Sequence, residues 1–99
     1  MSWINLGEVA YVLERTAGPE VAEAALREVR ARAAVELADE ALVRAAARVK
    51  ARNRMAYPDA FAWATAAKHG AVLLTGDPGI LGAKDAGARV EDLRGGPAR

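Results

Sequence analysis

The chain contains no cysteine, which excludes a disulfide scaffold and thiolate metal centres. It has no apolar run long enough to span a bilayer and no signal-peptide pattern, so the expected location is cytoplasmic, without membrane contact. Charge of one sign is scarce as well: 14 basic against 13 acidic side chains leave a formal net charge of +1. That balance neither demands nor excludes nucleic acid, and local charge has to decide. The single histidine, His69, stands directly before Gly70 at a predicted helix end, where a capping role is the first reading and a base or ligand the second. A phosphate-cradling glycine loop is also missing. Gly76-Asp77-Pro78-Gly79 is not followed by Gly-Lys-Ser/Thr, and Pro78 lacks the N–H such a loop would use. Repeats and linkers are absent. The 99 residues make one small domain, in which a partner subunit can contribute to stability.

What is present is helical periodicity. Leu6, Val9, Ala10 and Leu13 follow an i, i+3, i+4, i+7 pattern, which predicts a helix ending near Thr16-Ala17-Gly18. A second helix is expected from Pro19, burying Ala22, Ala25, Leu26, Val29 and Ala33, with Glu23/Arg27 and Glu28/Arg32 as exposed pairs. Ala34-Val35-Glu36-Leu37 reads as a short strand. Asp39 is the expected N-cap of a third helix, Glu40 to Ala51, which is expected to bury Ala41, Leu42, Ala45, Ala46 and Val49. Pro58 suits the first turn of a fourth helix that Gly70 ends. Ala71-Val72-Leu73-Leu74-Thr75 is a buried-strand candidate and residues 88–93 are a last short strand. The expected architecture is α/β, a short parallel sheet surrounded by helices over residues 1–94, with 95–99 as a frayed tail.

The acids carry the chemistry. About eleven helical residues advance roughly 16 Å, and the following strand returns about as far, so Asp59 at the helix start and Asp77 beyond the strand are expected at one edge. That is the carboxyl edge, where open α/β sheets place their sites. Glu8, expected in the first turn of the first helix, would join them if that helix runs antiparallel to the strands. Three uncompensated carboxylates repel one another unless a cation binds, and an all-oxygen set suits Mg²⁺ or Mn²⁺. The implied chemistry is metal-assisted hydrolysis of a phosphodiester. Each acid also has a purely structural reading. Glu8 follows Asn5 at capping-box spacing, Asp59 suits a helix dipole, and Asp77 before Pro78 is an ordinary turn residue.

In order along the chain, Asn5-Leu6-Gly7-Glu8-Val9, Pro58-Asp59-Ala60-Phe61-Ala62 and Leu74-Thr75-Gly76-Asp77-Pro78 resemble the PIN-domain nucleases, especially VapC-type toxins of bacterial toxin–antitoxin pairs. The resemblance runs from Met1 to about Leu93. It implies a small α/β sheet whose acids hold Mg²⁺ or Mn²⁺ for RNA cleavage, with Glu8, Asp59 and Asp77 matching the second, third and fourth acids. Asn5 and Thr75 would support the site, and an antitoxin-like protein would be a partner. The family pattern begins with an apolar strand ending in the first acid. Met1-Ser2-Trp3-Ile4 corresponds to the end of the second strand, so the expected fold is a PIN domain truncated at its N-terminus. Flanking strands exposed by a missing central strand point to a homodimer. The alternative is a non-catalytic PIN-like module for protein binding or assembly.

Arg44, Arg48 and Arg52 lie at i, i+4 and i+8, and residues 41–58 contain no acid. RNA phosphate contact is one reading; the other is a solvated stripe that complements the helix dipole. Trp3, Tyr11, Phe61 and Trp63 are core or interface candidates. Phe61 and Trp63 project from different helix faces, so one of them is expected against another subunit.

Overall fold

Four helices and two short strands make up residues 1–75 and 89–92, the part of the chain described by the computed structural model. Helix α1 is Trp3–Ala17, α2 Pro19–Arg32, α3 Glu40–Arg52 and α4 Tyr57–His69; strand β1 is Val72–Thr75 and β2 Arg89–Asp92. The chain divides into two compact units, Met1–Ala38 and Asp39–Arg99.

The N-terminal unit is an αα-hairpin, as the periodicity predicts. Its corner is a single residue, Gly18, whose N–H donates to Glu14 O at 3.0 Å and whose carbonyl accepts from Ala22 N at 3.2 Å. At φ 94°, ψ 164° that residue occupies backbone space reserved for glycine, and Pro19 then starts α2 where its missing N–H costs nothing. The open end of the hairpin is tied by backbone. Glu36 N donates to Met1 O and Trp3 N donates to Glu36 O, both at 2.9 Å, in a parallel bridge between Ser2 and Glu36. The strand expected at 34–37 reduces to that one bridge. The hairpin buries Ser2, Leu6 and Ala22.

In the C-terminal unit α3 packs on α4. Leu42, Ala46 and Val49 form the buried stripe of α3 at i, i+4, i+7, one narrow helical face, while Ala41, expected with them, is exposed and Ala45 only half-buried at its edge. Helix α4 is different: Ala60, Phe61, Trp63, Ala64, Thr65 and Ala66 are all buried, which covers its whole circumference. A helix apolar all round is a central helix, and this corrects the expectation that Phe61 or Trp63 faces another subunit, since each is only 3% exposed. The end of α4 follows the sequence closely. Gly70 is left-handed (φ 60°), with Ala71 N donating to Ala66 O at 2.8 Å and Gly70 N to Ala67 O at 3.3 Å, the paired bonds of a Schellman stop. β1 follows at once and pairs in parallel with β2, Val72 opposite Arg89 and Thr75 opposite Asp92.

Candidate functional site

Ser2, not Asn5, is the N-cap of α1. Its Oγ accepts from Asn5 N at 3.3 Å and its hydroxyl donates to Asn5 Oδ1 at 2.7 Å. The helix therefore begins earlier than the Asn5–Glu8 spacing suggests, and Glu8 falls in the second turn. This removes both the capping-box reading and the first-turn placement of Glu8. The cause is the backbone bridge to Glu36, which fixes Met1–Trp3 and leaves Ser2 as the last non-helical residue. Glu8 is half-buried in the N-terminal unit.

Asp59 is half-buried in the first turn of α4, two residues after Tyr57 and one after Pro58. The N-terminal end of the helix dipole favours its ionised form. Thr75 is the last residue of β1. Asp77, two residues further on, lies outside the described residues. Among the described residues no group of three His, Cys, Asp or Glu side chains is arranged to hold a metal ion. The donor chemistry of Glu8 and Asp59 fits a hard divalent cation, yet the described residues alone do not complete a coordination set.

The arginine stripe of α3 divides. Arg44 pairs with Glu40 at 3.7 Å on an exposed surface, where such a pair contributes little. Arg48 and Arg52 instead line a groove of about 500 Å³ between α3 and α4. Lys68 lies on the opposite wall, and Leu42, Ala45, Val49 and Ala64 also line the groove. The sequence reading identified the cations but not this groove, because the α4 wall comes from a helix whose alanines carry no face preference. Trp63 also lines it, and its buried Nε1 finds no acceptor among the described residues. Thr65 Oγ1 is likewise buried without a partner there.

The described residues form a mostly helical α/β fold with a parallel strand pair and an acid, Asp59, in the opening turn of the central helix. Comparison with known families matches residues 1–85 to the PIN domain, and the chain belongs to that family. PIN domains are in general divalent-metal-dependent nucleases that act on RNA. No curated protein matches the chain.

Proposed function

We propose that this protein is a PIN-type endoribonuclease, the toxin of a toxin–antitoxin pair, with Glu8, Asp59 and Asp77 as ligands of Mg²⁺ or Mn²⁺. The observation that supports the reading is the family match over residues 1–85, a span that includes all three acids. When bound, the ion would supply Lewis acidity at a phosphate. The chain's own contributions are local. The first turn of α4 holds Asp59 where the helix dipole favours an anion, and Asn5 and Thr75 support their neighbouring acids. Arg44, Arg48 and Arg52 on α3 offer cations to the RNA backbone. A homodimer, an antitoxin-like partner and a cytoplasmic location belong to the same reading. No helix among the described residues is long and apolar enough to cross a membrane.

RNA cleavage with and without Mg²⁺, repeated for Asp59→Asn and Asp77→Asn, tests it. Cleavage is expected only with the ion and is lost in both variants; metal-independent cleavage, or activity untouched by both changes, would sink the proposal. The second reading is the sequence's alternative, a non-catalytic PIN-like module for protein binding or assembly. Calorimetric titration with Mn²⁺ separates the two, since a complete site binds tighter than millimolar and an incomplete one does not.

A further inference from the structure

The C-terminal unit carries three of the chain's five aromatic residues, Tyr57, Phe61 and Trp63. Phe61 and Trp63 are each 3% exposed, whereas Tyr57, the first residue of α4, is 43% exposed. Its ring is nevertheless held. The Tyr57 and Phe61 centroids lie 5.0 Å apart at an interplanar angle of 56°, an i, i+4 contact that rests an exposed ring against a buried one.

Charge around this ring is one-sided. Lys50, Arg52 and Arg54 precede it, residues 41–58 contain no acid, and Asp59 follows two residues on. Arg54 is exposed and has no ion pair with a described residue. Three steps of chain from Arg54 to Tyr57 span at most about 11 Å between Cα atoms. Helical geometry then sets the Cα atoms of Tyr57 and Asp59 about 5 Å apart. A cation, an oriented ring and an acid stand in that order along one short stretch.

We propose that Tyr57 stacks a base of the substrate strand and so sets the adjoining phosphate beside Asp59, with Arg54 on the backbone of the same strand. The inference rests on the nuclease reading and deepens it by naming the residue that grips a base. Single-stranded RNA is held by bases stacked on aromatic side chains next to cations that follow the backbone. Within the C-terminal unit only Tyr57 offers such a face, because Phe61 and Trp63 are covered. A ring already oriented by Phe61 loses little freedom on stacking, which favours binding. Every base has a π face, so the contact holds the strand without reading its sequence. The Tyr57–Phe61 pair also supports the first turn of α4. The two roles part at leucine, which keeps an apolar contact with Phe61 and has no π face.

The test titrates fluorescently labelled single-stranded RNA, about eight nucleotides long, against the full chain by anisotropy in EDTA, so that binding is read without cutting. Tyr57→Leu is expected to weaken binding about tenfold or more, and Tyr57→Phe and Tyr57→Trp to keep it within about threefold. An oligonucleotide abasic at the stacked position loses the same affinity on wild type and nothing further on Tyr57→Leu. Arg54→Gln weakens binding evenly across sequences and lowers the salt slope by about 1. RNA bearing 5-iodouridine, irradiated on the protein, crosslinks to Tyr57 in peptide mass spectrometry. Circular dichroism checks that each variant keeps its helicity. Affinity unchanged by Tyr57→Leu, equal losses in the leucine and phenylalanine variants, or crosslinks confined to other residues overturns the proposal. RNA cut with Mg²⁺ but indifferent to Tyr57→Leu removes this proposal alone. RNA bound through Tyr57 but left uncut keeps the stacking site and removes the nuclease reading, and RNA neither bound nor cut removes both.

Discussion

Two aspartates near helix starts illustrate how position decides what a carboxylate does. Asp39 is an N-cap whose oxygen accepts from Leu42 N, so its role in α3 is structural. Asp39→Ala is expected to lower stability by about 1 kcal/mol and Asp39→Asn by far less, which urea denaturation resolves. Asp59 sits inside the first turn of α4, where a negative charge contributes about 0.3–1 kcal/mol through the dipole. Asp59→Asn is therefore expected to cost little stability, while RNA cleavage falls by more than about 100-fold, beyond what losing a supporting contact around a metal costs. If cleavage and stability decline together, or cleavage does not decline, Asp59 is not a ligand. How far such residues were legible in the sequence depended on the range of their partners. Asp39 and Gly70 act on neighbours within a turn, and both roles follow from residue type. Ser2 was missed as a cap because its place outside the helix is set by Glu36, far along the chain. Asp77 lies beyond the described residues, so its place beside Asp59 rests on the sequence argument.

Elements were legible wherever punctuation was strong. Gly18 and Pro19 mark the start of α2, and Pro58 and Gly70 mark both ends of α4, and the structure follows them within a residue or two. The short segment 34–37 was not, because its apolar residues suit a strand but its pairing stops at the single Ser2–Glu36 bridge, with the Met1 amino group donating to Ala34 O beside it. Helix α4 misled face assignment for a different reason. Alanine carries no polarity on either side, so two aromatics some 200° apart read as two faces when both are core. Gly18 provides the sharpest test at this scale. With φ 94° and ψ 164° at a one-residue corner, Gly18→Ala is expected to cost about 1–3 kcal/mol, far more than an exposed Gly→Ala elsewhere. Gly7 is the control, an exposed glycine inside α1 with open space around its Cβ position, where Gly7→Ala is expected to stabilise by about 1 kcal/mol. Equal effects of the two changes in thermal denaturation would show that the corner relaxes. Within the packed pair α3 and α4, Ala46 is fully buried, and Ala46→Leu is expected to cost about 1–3 kcal/mol by overpacking.

For the molecule as a whole, the imbalance lies between apolar surface available and apolar surface covered. The N-terminal unit, Met1–Ala38, buries only Ser2, Leu6 and Ala22, and a unit below about 40 residues needs staples or partners to be stable. The chain has no cysteine to staple it. Meanwhile Trp3, Ile4, Val9, Tyr11 and Val12 of α1 are all exposed, Ile4, Tyr11 and Val12 at i, i+7 and i+8 on one side and Trp3 and Val9 flanking them. Arg15 lies over the Tyr11 ring at 5.2 Å, which partly shields that ring but leaves the aliphatic side chains uncovered. Five exposed apolar side chains on one helix of so small a unit are the basis for expecting association. Sedimentation in the micromolar range is therefore expected to show mass rising with concentration toward a dimer. Val12→Glu is expected to shift that equilibrium to monomer while leaving helicity intact, because the side chain already faces solvent in the single chain. A concentration-independent monomer counts against the homodimer. A dimer indifferent to Val12→Glu moves the interface away from α1 and returns the apolar face to the question of which other surface covers it.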